Sequence, residues 1–478
     1  MISLLTWIFN EKISIYFKLE KRKIKLFVSA LIAEVINHKL LYLSLFILFT
    51  IGISLRMFYL NRPMRYDEAF TFLEFGKSNI AYISMNYSYP NNHILHSILL
   101  RIFTILFGDQ LWVIRLPAFT GGVLTLVFTF LLGRKWFGLK AGILGVALVV
   151  FSEMLIDYSV NARGYTLQTT LFLAVLFLTI SNNNKNGRWI LVAILHAIGF
   201  WLIPSYLFCF GIILFVNISK HGFQKQFVSI LGLSFLLGFL LYLPVIAYMG
   251  KNAIINNPLV RVFDSMNYLQ EFIENLISIY EHLTPGVGIV QGIVFGLLVS
   301  TIFQDKSRIL SLGVFFTIAL LIAIIGKHAP PRIFLFLLPL CALLISGSIL
   351  NFLDKLSSKF FLLLLTLPFL SWEMNKNKHF DYEEGLQDIP ELVKDLKSEN
   401  RVGVVSKIPI DYPVRYYLSQ NPDLNSSWNR FGSDTVYVIV NEFYHQNLTK
   451  TFGEKSKDYD FQKVKKYKYS TLFIGLKN

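Results

Sequence analysis

Two adjacent carboxylates, Asp67 and Glu68, stand in "NRPMRYDEAFTFLEFG" (Asn61 to Gly76), directly after an apolar run that ends at Leu60. An ionised carboxylate can take the proton of a hydroxyl as that oxygen attacks an electrophile. A neighbouring arginine such as Arg65 would help it stay ionised by lowering its pKa. Two solvated loop acids would give the same sequence, and position alone does not separate the two readings. Arg163, in "YSVNARGYTL" (Tyr158 to Leu167), is a second candidate. A guanidinium binds phosphate oxygens in a fork, although an arginine snorkelling from a helix end looks alike in sequence. A third group is "GKHAPPRIFLFLLPL" (Gly326 to Leu340), where Lys327, His328 and Arg332 are close together. His93 and His96, three apart, could share a helix face and bind metal. With no third ligand nearby in sequence, an interfacial histidine accounts for them better.

A base on one side and cations on the other is what transfer from a lipid-linked phosphate needs. The phosphate leaves, and arginine stabilises its developing charge. That chemistry requires the groups to share one membrane face, so the elements that carry them decide the matter.

The chain has 478 residues, 54% hydrophobic and 16% charged, with mean hydropathy +0.52. Too little polar surface is available for a soluble protein. Apolar segments at about 40–60, 112–133, 140–160, 165–181, 189–205, 206–219, 227–249, 286–303, 309–326, 332–350 and 359–372 are near bilayer length at about 1.5 Å per residue. "IPSY" (Ile203 to Tyr206) breaks the pair around 189–219, since proline interrupts a helix. The net charge of +15 sits in short basic clusters between apolar runs, which reads as cytoplasmic loops and not as a nucleic-acid surface. The N-terminal Lys21, Arg22, Lys23 and Lys25 share that side, and the start lacks the pattern of a removed signal. The loop 61–111, the Asp157–Tyr165 turn, the 250–285 loop, the Gly326–Arg332 turn and the C-terminal region then fall on the outer face. Basic residues there run against the positive-inside rule and suit an anionic headgroup. Within the first outer loop, Asn92 to Gly108 is amphipathic enough for an interfacial helix. Cys209 and Cys341 lie in apolar segments and imply no disulfide framework.

From Glu373 the charge rises and apolar runs shorten. Asp388–Asn400 and Tyr412–Gln420 read as helices, and Arg401–Lys407, Thr435–Asn441 and Ser470–Leu476 as strands. The expected fold class is an α-helical polytopic membrane protein of about 11 transmembrane helices plus interfacial helices, with a small C-terminal α/β soluble domain. The divisions are a basic cytoplasmic or interfacial segment 1–39, a membrane domain 40–372 and an extracytoplasmic domain 373–478.

An acid pair soon after the first span, then "NNHILHSILLRIFTILFGDQLWVIRLPAFTGGVLTLVFTFLLGRKWFG", then "FSEMLIDYSVNARGYTLQ", resembles the GT-C glycosyltransferases. The likeness is to the dolichyl-phosphate-mannose protein mannosyltransferases and the aminoarabinose lipid A transferases. It covers about residues 40–180 and continues weakly to "PPRIFLFLLPL". The resemblance implies a sugar donor on a polyprenyl phosphate, a hydroxyl acceptor that is protein, lipid or glycan, and inverting transfer on the extracytoplasmic face of, in this case, a bacterial plasma membrane. It implies Asp67 as the base, Glu68 helping to position acceptor or base, and Arg163, Arg332 and Lys327 at the donor phosphate. Arg65, Tyr66, His93, Tyr165 and His328 are then substrate-contacting candidates. Some relatives use a divalent metal; no residues here fix one, and that question stays open. Relatives often carry His-Pro-Pro in the first loop where this chain has His93-Ile94-Leu95, so the acceptor is not identified. A transporter or flippase of an anionic lipid is the alternative; it would use the same cations without a base, but no matched, broken repeats appear. A non-catalytic scaffold would leave the outer cations unexplained.

Overall fold

The computed structural model describes residues 29–478, except 31, 181–185, 223–224, 256, 258–259, 285–287, 306, 353–356, 376–384, 397–401, 422–425, 429–432, 443 and 446–447. The basic residues Lys21 to Lys25 lie outside the described residues.

Each of the apolar segments is helical, because a backbone with no water to bond must satisfy its own N–H and C=O groups. Among the described residues, four helices have the length and apolarity to cross a bilayer: Lys39–Phe58, Leu111–Phe137, Ser229–Met249 and Arg308–Ile325. The 140–160 segment is two helices, Leu139–Val150 and Glu153–Ser159, bent by 68°, and makes five if counted as one span. Ser152 caps the second piece. The other apolar helices of the bundle run only 10–17 residues. The chain is thus a multi-pass, mostly helical membrane protein, and about eleven full spans is more than helix length supports. Interruptions explain the shortfall. Pro330 and Pro331 force a 3-10 turn, Pro331–Phe334, before the helix Leu337–Phe352 can start. The last segment splits into Ser358–Leu364 and Thr366–Asn375. The amphipathic stretch of the first outer loop forms the helix Ile94–Phe107 as expected.

Close packing at the centre depends on small residues. The helices Leu111–Phe137 and Tyr165–Ile180 cross at Gly121, where an added Cβ would stand 2.8 Å from Leu167 N. At this crossing Thr170 Oγ1 donates to Gly121 O at 2.7 Å and lies 3.1 Å from Thr125 Oγ1. Small side chains at the contact and hydroxyls bonded across it are the usual means of joining helices in lipid.

The C-terminal region forms a five-stranded mixed sheet, order β2-β1-β3-β5-β4. β1 (Val402–Val405) lies parallel to β2 (Ser426–Trp428) and β3 (Thr435–Asn441). β5 (Ser470–Lys477) is antiparallel to β3 and to β4 (Tyr459–Lys466). The three anticipated strands are all present. β2 is three residues long and β4 is a lysine-rich edge strand, so neither shows a buried-strand pattern in sequence. The helices Ile389–Asp395 and Asp411–Ser419 share a core with Val404, Ile439 and Leu472 of the sheet.

Gly121→Ala should force the two central helices apart and lower stability by about 1–3 kcal/mol, read as a fall in the thermal midpoint of the detergent-purified protein.

Candidate active site

The acid pair sits on a five-residue helix, Tyr66–Phe70, which runs directly into a π-helical segment, Thr71–Gly76. Two acids in the first turn suit the positive end of a helix. The two carboxylates nevertheless have different fates. Glu68 is fully buried. It accepts from Arg115 Nε at 2.8 Å, Arg115 Nη2 at 2.7 Å and Ala162 N at 2.8 Å. Arg115 also donates to the carbonyls of Leu60, Arg62 and Pro63. All five guanidinium N–H donors are therefore used. Glu68 and Arg115 anchor the loop and leave no capacity for proton transfer.

Asp67 is half-buried. Among the described residues no hydrogen bond or ion pair occupies its carboxylate; its backbone carbonyl accepts from Thr71 Oγ1 at 2.8 Å. Arg65 is not its partner. That guanidinium forms a two-pronged ion pair with Asp157, 92 residues away. The reason is geometric, since residues two apart at a helix start do not face each other. The cation that does feel Asp67 is Arg332, whose guanidinium is pushed up by Tyr165 and, against the cost of burial, by Asp67.

Arg163 and Arg332 converge on one phenol. Tyr165 Oη accepts from Arg163 Nη2 at 3.3 Å and from Arg332 Nε at 3.1 Å. Arg163 is buried, makes a 3.4 Å contact with Thr71 Oγ1, and has no partner on Nε. No carboxylate pairs with it among the described residues.

His93 completes this group. Its Nδ1 accepts from Gly164 N–H at 2.8 Å. The glycine permits the approach, because a Cβ there would meet that nitrogen at 3.0 Å. Burial, and then the charges of Arg163, His96 and Arg332, hold His93 well below the ordinary histidine value. A neutral ring that accepts on Nδ1 carries its proton on Nε2. Nε2 lies 3.4 Å from Arg163 Nη2. Two donors thus face each other with no acceptor between them, an arrangement that an anionic oxygen would complete. The rings of His93 and Tyr158 both pack edge-on against Tyr165.

Lys327 and His328 do not join this cluster through any described contact. Lys327 Nζ donates to Ile255 O at 2.6 Å, and its backbone bridges Val262. His328 Nε2 lies 3.1 Å from Glu271 Oε2. Both residues tie the 250–285 loop to the turn, so only Arg332 of the expected basic group reaches Arg163's phenol. Tyr66 faces the C-terminal domain, its ring 5.3 Å from that of Tyr412. Sequence reasoning missed Arg115, Asp157, Thr71 and Tyr412. Arg115 alone carried a signal, as a charge inside an apolar span.

A divalent metal finds no support in these residues. Among the described residues no three His, Cys, Asp or Glu side chains stand together to hold an ion. Glu68 and Asp157 are already committed to arginines. The donor set among the described residues does not fit a metal.

Residues 91–248 match the family model for dolichyl-phosphate-mannose-protein mannosyltransferase. The matched stretch is less than half of the chain. It contains His93, Arg115, Asp157, Arg163 and Tyr165, while Asp67, Glu68 and Arg332 lie outside it. The apo crystal structure of ArnT from Cupriavidus metallidurans is similar at TM-score 0.56 and 10% identity, over 90% of this chain and 97% of that one. The same protein bound to undecaprenyl phosphate is similar at TM-score 0.53 and 11% identity, over 92% and 98% of the two chains. The likeness to ArnT is one of fold. No curated protein sequence matches the chain.

Glu68→Ala should leave the Arg115 charge buried without a partner and destabilise the protein by about 3–5 kcal/mol, measured as a lower thermal midpoint in detergent. His93 should add a pH dependence. Its proton affinity is depressed in the fold, so the unfolded chain binds more protons once pH falls below about 6.5. Stability is then full above that pH and declines below it, toward the depressed folded value. In His93→Asn, which keeps an acceptor for Gly164 N–H, the thermal midpoint should fall less between neutral and mildly acidic pH than in wild type.

Proposed function

We propose that this protein is an inverting glycosyltransferase that moves a sugar from a polyprenyl-phosphate donor to a hydroxyl acceptor on the extracytoplasmic face of the membrane. The observation that carries the reading is the buried Arg163, unpaired with any described carboxylate, converging with Arg332 on Tyr165, with the open carboxylate of Asp67 near enough to favour the Arg332 charge. A buried cation without a counter-ion is costly, and a phosphate would supply the missing charge. The undecaprenyl phosphate bound by the similarly folded ArnT is the kind of donor lipid that would do so.

In the proposed reaction the acceptor hydroxyl loses its proton to Asp67 as its oxygen attacks the anomeric carbon. The bond from that carbon to the phosphate oxygen breaks from the opposite side, which inverts the centre. The electron pair leaves with the polyprenyl phosphate, where Arg163, Arg332 and the Nε2–H of His93 receive the charge. Glu68 holds the helix that carries Asp67. The chain would be oriented with its N-terminus in the cytoplasm and residues 373–478 outside.

The test is transfer from a panel of labelled polyprenyl-phosphate sugars by protein reconstituted in proteoliposomes. Asp67→Asn should reduce transfer by about 10²–10⁴-fold with its thermal midpoint unchanged. Arg163→Ala should reduce it by about 10²–10³-fold. Full transfer by Asp67→Asn would remove Asp67 from the mechanism. Movement of intact donor across the bilayer without loss of sugar would replace the reading with that of a flippase.

A further inference from the structure

The helix Tyr66–Phe70 is only five residues long, and one turn of helix cannot hold its own rotation. It continues into a π-helical segment, a form that is rare and weakly held. Something else must fix the direction in which Asp67 points. One face is anchored on Arg115 through Glu68. Asp67 is near enough to Arg332 for its charge to favour the guanidinium's protonated form. A third face is formed by Tyr66 and Phe70, four residues apart. These two rings hold Tyr412 of the C-terminal domain between them, at 5.3 and 4.8 Å.

Tyr412 is fixed in turn. Its Oη donates to Glu74 Oε1 at 3.0 Å, and Arg415 Nη1 lies 3.3 Å from the same oxygen. Glu74 belongs to the π-helical segment, so the contact spans both halves of the catalytic loop. The same C-terminal helix bonds the loop at three further points, one of them Lys77 Nζ donating to Ser419 Oγ at 3.1 Å. Met64 N donates to Tyr417 Oη at 2.9 Å, and Tyr416 Oη donates to Asp109 O at 3.1 Å. Tyr412 itself packs with the clusters of the first outer loop and takes no part in the core of the sheet.

We propose that Tyr412 is a positioning residue for the general base, and that the C-terminal domain is a working part of the active site. Its ring blocks rotation of the Tyr66–Phe70 helix and so keeps Asp67 aimed at the Arg163–Arg332 group. The proposal rests on the reading of Asp67 as the base. It assigns a role in catalysis to a domain that the family match at residues 91–248 does not include.

Full-length wild type, Tyr412→Ala, Tyr412→Phe and Glu74→Ala in nanodiscs test this by two readouts. Amide hydrogen exchange is the first and needs no substrate. Tyr412→Ala should speed exchange across Tyr66–Gly76 by about tenfold, while Glu74→Ala and Tyr412→Phe, which lose the Tyr412–Glu74 bond but keep the ring contacts, should speed it over the same segment by clearly less. Exchange in β3 should not change, which separates loosening of the loop from unfolding of the domain. The second readout is transfer. Tyr412→Ala should lower kcat by about tenfold or more with donor KM within about twofold, and Tyr412→Phe should restore most of the rate. Unchanged exchange in Tyr412→Ala, equal losses in Ala and Phe, or a loss carried by donor KM would overturn the proposal. If wild type transfers no sugar from any donor, the glycosyltransferase reading fails, and the exchange result alone decides whether Tyr412 holds the helix.

Discussion

The Glu68–Arg115 pair is the interaction on which the region around the acid pair depends. Removing two charges from water is expensive, and the cost is offset only when geometry is good and every remaining donor and acceptor is bonded. Here it is. Arg115 uses its five N–H groups on Glu68 and on three carbonyls just past the first span, and Glu68 also takes the N–H of Ala162. One buried pair therefore joins the end of the first span, the start of the acid helix, the helix Leu111–Phe137 and the turn that carries Arg163. The positions of Asp67 and Arg163 relative to each other follow from it.

The arginines of this region divide by what they bond. Arg65 and Arg115 are neutralised by Asp157 and Glu68, and they shape the backbone. Arg163 and Arg332 meet at the phenol of Tyr165, which supplies an oxygen but no charge. His93 adds a donor because its other nitrogen is occupied by Gly164 N–H. Positive charge and hydrogen-bond donors thus accumulate at one place, and the nearby carboxylate that remains open is Asp67. That imbalance is an electrostatic argument for an anionic ligand, and it owes nothing to the identity of the sugar or the acceptor.

Much of this could be read in the sequence, unevenly. Helices occupy the apolar segments because apolar length is a local property that survives folding. The break near Ile203 was legible for the same reason, since proline acts on its own turn. Asp67, Arg163 and Arg332 were singled out from their setting at the ends of apolar runs, and His93 and Tyr165 through the family resemblance; of these, Arg163, Arg332, His93 and Tyr165 stand in mutual contact. The pairing of Arg65 with Asp67 was wrong because adjacency in sequence was taken for adjacency in space. Grouping Lys327 with Arg332 failed similarly, because a short bridge to Val262 sends Lys327 to a different loop. The role of the C-terminal domain was invisible, since Tyr412 and Glu74 are 338 residues apart.

By itself the sequence determined the class of molecule: a membrane protein with a small mixed α/β end and an acid pair placed where the first apolar run stops. Those features depend on hydrophobic length, on period and on the conformational limits of proline, all of which act over a few residues. Only the tertiary structure decided which acid is spent on structure and which stays open, which arginines are neutralised, and what packs against the acid helix. Ion pairs and hydrogen bonds are made between side chains that are 47, 92 and 338 residues apart. Their energies depend steeply on distance and burial, so they come into existence only when the fold brings those side chains together.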